Sequence, residues 1–231
     1  MSIIKPFRGY LPPAELAEKI SSPPYDVLSS EEAKEIVINN KQSFLRVIKP
    51  EIDFNSNEIL NSKKIHEKGK NNLNELINNN QLIKDNCSSF YIYRIIMNEH
   101  TQTGIVAGVS ISEYNQNLIK KHEYTRPDKE DDRTIHINTL NANTGPVFLT
   151  FKNKTGFNSL IDDLTKNKPD ISFTADDNTS HIIWKIPLSN DIKKIKQYFL
   201  NISCLYIADG HHRAASASRI QKNRLSSNDN H

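Results

Sequence analysis

Six residues near the end of this chain, Ala208-Asp209-Gly210-His211-His212-Arg213, combine a carboxylate, a glycine, two imidazoles and a guanidinium within one turn of chain. They stand between a short apolar run, Leu205-Tyr206-Ile207, and an alanine-rich stretch in which Ala214, Ala215, Ala217 and Ile220 favour a helix. A strand, a tight turn and a helix start are therefore predicted in that order. Backbone N–H groups at such a helix start, with the positive end of its dipole, attract an anion, and Gly210 lets the main chain approach it closely. Arg213 can bind phosphate through two nitrogens, and His211 and His212 can donate as well. The plain alternative is that Asp-Gly is a common turn and Asp a good helix cap. Two histidines and an arginine at one helix entrance are costly to gather without an anion, which favours a ligand site.

A second charged group, Lys121-His122-Glu123-Tyr124-Thr125-Arg126-Pro127-Asp128, runs on through Lys129 to Arg133. Pro127 suits a first helical position, Thr125 or Arg126 the cap, and Asp128, Glu130 and Asp131 complement the start of a helix. That chemistry accounts for a solvated first turn. It leaves Lys121, His122 and Glu123 unexplained, and a carboxylate beside a lysine and a histidine can act as a general base toward a hydroxyl. Arg126 is then a second phosphate clamp. His122, His136, His211 and His212 lack a zinc-binding spacing, whereas Mg2+ needs few protein ligands, and Asp209 is the carboxylate to supply one.

These groups need elements to hold them. Pro12-Pro13 precedes a helical stretch from Ala14 to Ile20, and Pro23-Pro24 stiffens a loop displaying Tyr25 and Asp26. Ser29 with Glu32 forms a capping box for the next helix, whose apolar face is Ala33, Ile36 and Val37. Phe44 to Ile48 reads as a strand ended by Pro50, and Asn57 to Asn80 carries Ile59, Leu60, Leu73, Leu76 and Ile77 at helical spacing. Phe90–Met97 and Gly104–Ile111, joined across Asn98–Thr101, predict a hairpin in a central sheet. Val147–Phe151 and His181–Ile186 read as strands, Leu160–Leu164 and Ile192–Phe199 as helices. The sum is one α+β domain over 1–231, with a mixed central sheet, flanking helices and a disordered tail at 222–231.

With 231 residues, 36% of them hydrophobic and 25% charged, the chain can bury a substantial core. Its 30 basic and 27 acidic residues leave a formal charge of +3, and the clustered basic face of a dedicated nucleic-acid binder is missing. Lys193, Lys194 and Lys196 read as a solvated helix face. Cys87 and Cys204 are too far apart in sequence to suggest a disulfide framework, so a cytoplasmic protein is expected, with no membrane partner. Asparagine is abundant without an evident functional message.

Taken together, Pro23-Pro24-Tyr25-Asp26-Val27, Lys121-His122-Glu123 with Thr125-Arg126-Pro127, and Tyr206-Ile207-Ala208-Asp209-Gly210-His211-His212-Arg213 resemble the DUF1015 family of bacterial and archaeal proteins. Ile4-Lys5-Pro6-Phe7-Arg8-Gly9, Gly104-Ile105-Val106-Ala107 and Gly145-Pro146-Val147 fit the same pattern, so the resemblance spans the chain. The Asp-Gly-His-His-Arg element is also similar to the nucleotide-binding motif of the ParB and sulfiredoxin superfamily, which includes free-serine kinases. The resemblance implies a phosphate-binding core of that kind and phosphoryl transfer from pyrophosphate, ATP or ADP to a small-molecule hydroxyl, with L-serine the best candidate. It implies that Asp209 to Arg213 hold the donor, that Glu123 is the base, and that Tyr25 and Asp26 lie on the substrate side. A DNA-linked nucleotide regulator and a phosphate-binding protein without turnover are the alternatives. Family members continue beyond the histidine motif, which implies that this chain is the N-terminal part of a longer protein.

Overall fold

The computed structural model describes residues 2–55 and 61–227. In chain order its strands are β1 (Ile4–Lys5), β2 (Tyr10–Leu11), β3 (Ile83–Lys84), β4 (Phe90–Met97), β5 (His100–Val106), β6 (Gly108–Val109), β7 (Ile119–Lys120), β8 (Phe148–Thr150), β9 (Ile171–Thr174), β10 (Ser180–Ile186) and β11 (Leu205–Asp209). The α-helices are α1 (Ala17–Ile20), α2 (Ser30–Ile38), α3 (Leu45–Ile48), α4 (Ser62–Asn78), α5 (Ile111–Asn115), α6 (Pro127–Leu140), α7 (Phe157–Leu164), α8 (Ser189–Leu200) and α9 (His211–Ser227). The protein is α+β. Its chain gathers into two compact units, residues 1–18, 83–122 and 148–209 in one and residues 19–82, 123–147 and 210–231 in the other.

The first unit holds all the described strands. The expected hairpin forms, with β4 and β5 antiparallel, but it belongs to a four-stranded antiparallel sheet of order β5-β4-β10-β9. The mixed sheet is a separate one of three strands, β7-β11-β8, with β11 parallel to β7 and antiparallel to β8. Two further two-stranded sheets pair β1 with β6 and β2 with β3. A single central sheet is thus replaced by several small ones, because apolar runs announce strands without naming their partners. The second half of the hairpin also stops early: Ser110 caps α5 by accepting from the Glu113 amide, so Ile111 is helical. Phe90 and Ile92 on β4 and Trp184 and Ile186 on β10 alternate onto one buried face.

The second unit is helical. Ser29 and Glu32 form the expected capping box, the Glu32 amide donating to Ser29 Oγ at 3.1 Å and the Ser29 amide to Glu32 Oε2 at 2.8 Å. Phe44–Ile48, expected as a strand, forms α3. A run of five apolar-rich residues has no usable period. Here tertiary bonds decide: the Phe44 amide donates to Ile20 O and Asn72 Nδ2 to Arg46 O. Leu45 and Ile48 then pack with Ala33 and Ile52 in a core that Tyr25 and Phe44 border. Asp53, the partly buried counter-ion of this corner, holds Arg46 at 2.9 Å, Asn72 at 2.8 Å and Lys68 at 3.4 Å.

Helix α4 covers the expected helical stretch from Ser62 onward; Ile59 and Leu60 lie outside the described residues. Its buried stripe of His66, Gly69, Leu73 and Leu76 follows helical spacing. A Cβ at Gly69 would stand 2.9 Å from the Val47 carbonyl and 3.1 Å from Pro50. Gly69→Ala should therefore destabilise the protein by about 1–2 kcal/mol, the overpacking cost outweighing the helix-propensity gain. Urea unfolding measures it, and an unchanged or raised midpoint would show that α4 can stand off α3.

Helix α6 begins at Pro127 with Arg126 as cap, as the charge pattern predicts. Helix α9 binds it through Arg219, 3.1 Å from Glu130 and 2.7 Å from Asp131, and through Ser216, whose hydroxyl donates to the Glu130 carbonyl. Further along, Arg224 donates to Asn141 at 2.9 Å, so α9 runs through Ser227, into the segment expected as a tail. Residues 228–231 lie outside the described residues. Among the described residues, five that are not glycine take positive φ, and each is an asparagine: Asn80, Asn98, Asn117, Asn141 and Asn178. Among the described residues no helix is long and apolar enough to cross a membrane.

Candidate functional site

Strand β11 ends at Asp209, and Gly210 turns the chain into α9 with φ of +95°. That angle suits glycine, and the space is tight as well. A Cβ there would lie 3.2 Å from the Arg213 guanidinium and 3.3 Å from Val147 Cα. The helix closes at once, the Ala214 amide donating to Gly210 O at 3.0 Å. The first-turn N–H groups are thereby aimed out of the helix end, beside Gly210.

Within the helical unit the side chains of this turn are held from two other segments. His211 is buried, 4% exposed, and its Nδ1 lies 3.0 Å from Glu123 Oε1, while Glu123 keeps about half its side-chain surface in solvent. A half-exposed carboxylate fixed by a buried imidazole is oriented yet reachable. His212 Nε2 accepts the backbone N–H of Arg126 at 3.1 Å, so this nitrogen is unprotonated and only Nδ1 is left to donate. Arg213 folds back along the Gly145-Pro146-Val147 turn, donating from Nη1 to the Pro146 carbonyl. A Cβ on Gly145 would stand 3.6 Å from that guanidinium.

Other residues singled out by type have different occupations. The Arg126 guanidinium makes a two-pronged pair with Asp128, at 2.7 and 3.2 Å, on the exposed first turn of α6. Tyr25 packs under Arg133, whose guanidinium lies 4.3 Å from the ring centroid, and burial raises its phenol pKa despite Arg133 and, nearby, Arg213. Asp26 is exposed in the turn beside it. Lys121, His122 and Asp209 belong to the strand-bearing unit. There Lys121 Nζ sits 3.8 Å from the Tyr114 ring centroid, a cation–π contact, while His122 and Asp209 are exposed at the ends of their segments.

Sequence reasoning missed a buried polar group in the same helical unit. His66 on α4 and His136 on α6 face each other with Nδ1 atoms 3.3 Å apart, at 2% and 1% exposure. His66 Nε2 lies 3.2 Å from Asp132 Oδ1, a contact bent away from a linear hydrogen bond. Arg133 Nη2 binds Asp132 Oδ2 at 2.6 Å, and Thr144 Oγ1 lies 3.4 Å from His136 Nε2. The contacts to His66 and Arg133 hold the Asp132 carboxyl well below its usual range, and burial first, then the positive charge of Arg133, pushes His136 down to about 3. The available signal was periodicity: His66 occupies the apolar stripe of α4.

No curated protein and no solved structure matches this chain. The family model DUF1015, described as a protein of unknown function, matches residues 4–231, nearly the whole chain. The motifs around Tyr25, Glu123 and Asp209–Arg213 thus sit within a family-wide match, and the chain belongs to the DUF1015 family.

Proposed function

We propose that this protein is a small-molecule kinase with a ParB/sulfiredoxin-like phosphate site, moving a phosphoryl group from pyrophosphate, ATP or ADP to a hydroxyl, L-serine being the favoured acceptor. One observation carries the reading: Glu123, half exposed, is oriented at 3.0 Å by buried His211 on the first turn of α9, the turn that also bears Gly210 and Arg213. An anion bound at the helix start would meet backbone N–H groups and the Arg213 guanidinium. In-line transfer asks little more of a protein than positioned cations and a base near the attacking oxygen.

In this scheme the acceptor hydroxyl gives its proton to Glu123 as its oxygen bonds to the terminal phosphorus. The bond from that phosphorus to the bridging oxygen breaks, and the remaining phosphate or nucleotide leaves. Buried His211 keeps the carboxylate aimed, and Arg213 balances charge on the donor. Mg2+ would take a carboxylate oxygen from Asp209 and keep most of its shell in water and phosphate oxygens; the chemistry it would supply is positive charge.

The test is to incubate the protein with L-serine, Mg2+ and each of pyrophosphate, ATP and ADP, following phosphorus by NMR. O-phosphoserine with one donor is the expected result. Donor binding without product from any combination would favour the phosphate-binding protein instead, and neither binding nor product would end the phosphate reading.

A further inference from the structure

The two facing histidines need one proton between them. With Nδ1 atoms 3.3 Å apart, one ring must donate and the other accept. The Asp132 carboxylate, 3.2 Å from His66 Nε2, favours a proton on that nitrogen and leaves His66 Nδ1 as acceptor. His136 then donates from Nδ1, which leaves its Nε2 to accept from Thr144 Oγ1 at 3.4 Å. Asp132 is already balanced by Arg133 at 2.6 Å, so an added proton on the imidazole pair would be an extra charge at positions 1–2% exposed.

We propose that Thr144, His136 and His66 form a one-directional hydrogen-bond relay that ends against the charge of Asp132, and that the two histidines are positioning residues for the turn Arg213 clasps. Every donor in the relay points from Thr144 toward Asp132. At the first end, Thr144 is followed directly by Gly145-Pro146, whose carbonyl takes the Arg213 N–H. At the other, Asp132 holds Arg133 over the Tyr25 ring. The relay therefore joins two parts of the helical unit that bear candidate ligand groups. Its effect on ligand binding rests on the phosphate reading above; its proton arrangement does not.

Nitrogen NMR of the whole chain labelled in histidine, at pH 7, reads the arrangement. The expected pattern is His66 protonated at Nε2 alone and His136 at Nδ1 alone. The reversed pattern, a doubly protonated ring, or two unprotonated Nδ1 atoms with stoichiometric zinc would overturn the relay, since 3.3 Å also suits two nitrogens on a tetrahedral ion. Thr144→Val should shift the His136 ring nitrogens and weaken pyrophosphate binding about fivefold, the scale of one lost hydrogen bond. Thr144→Ser should restore both. Unchanged affinity in Thr144→Val would remove the positioning role. If the unaltered protein binds no pyrophosphate, the phosphate reading fails separately. The Gly145 amide in His66→Gln then decides: a shift supports positioning through the relay, and silence refutes it.

Discussion

Bringing the pH from 7 to 4 should remove about 3 kcal/mol of stability through His136 alone. Burial holds this imidazole near a pKa of about 3 in the folded protein, against 6.5 for an ordinary histidine. Below pH 6.5 the unfolded chain takes up a proton that the folded chain refuses, so stability present above 6.5 drains away as the pH falls toward 3. Asp132 acts in the same sense but only lower, because its depressed carboxyl loses its advantage once ordinary aspartates begin to protonate. The interval from pH 6.5 to 4.5 therefore leaves Asp132 aside, and His181, whose imidazole burial also lowers, contributes to the unaltered protein and to a His136 variant alike. Urea unfolding across it should show a steep fall in the unaltered protein and a much flatter one in His136→Leu, whatever that variant's absolute stability. Equal slopes would place the protonation elsewhere.

Glu123→Gln should lower turnover by roughly 10²- to 10⁴-fold while leaving pyrophosphate affinity within about threefold. Glutamine keeps the size of the side chain and an oxygen for His211 Nδ1, so the change removes the base and little else. Arg213→Ala should do the opposite, weakening pyrophosphate binding about tenfold, since it deletes a guanidinium and the prop of the Gly145-Pro146 turn. Calorimetry for binding and initial rates of phosphoserine formation separate the two. A Glu123→Gln variant that turns over normally but binds pyrophosphate poorly would reverse the assigned roles.

The elements that could be read from sequence were those decided locally. Ser29 and Glu32 are three residues apart, Pro127 sits beside its cap, and the β11–Gly210–α9 turn is spelled out in consecutive residues. What escaped was decided by distant partners. Leu45–Ile48 is helical partly because Ile20 takes the amide of its cap residue Phe44 and Asn72 the carbonyl of Arg46, and no pattern within five residues reports that. Glu123 and His211 are both conspicuous by type, yet their contact joins segments 88 positions apart. His66 was the hardest to see, since one histidine in an apolar stripe gains meaning only from the His136 and Asp132 that meet it. Arg126 has a partner that type alone did not announce, the Asp128 carboxylate two residues on.

The asparagine excess, silent as a motif, has a use in the backbone. All the described left-handed positions outside glycine are filled by this residue, and the whole sequence contains only seven glycines. Asparagine tolerates that conformation because its short amide can bond locally, whereas a β-branched residue there is strained. Asn80, Asn98, Asn117, Asn141 and Asn178 are thus sites where exchange with glycine or aspartate should pass unnoticed and exchange with valine should not. A lineage drifting toward asparagine can replace turn glycines without rebuilding a single turn, provided that it spares Gly210, where a Cβ would crowd the Arg213 guanidinium and Val147 at 3.2–3.3 Å.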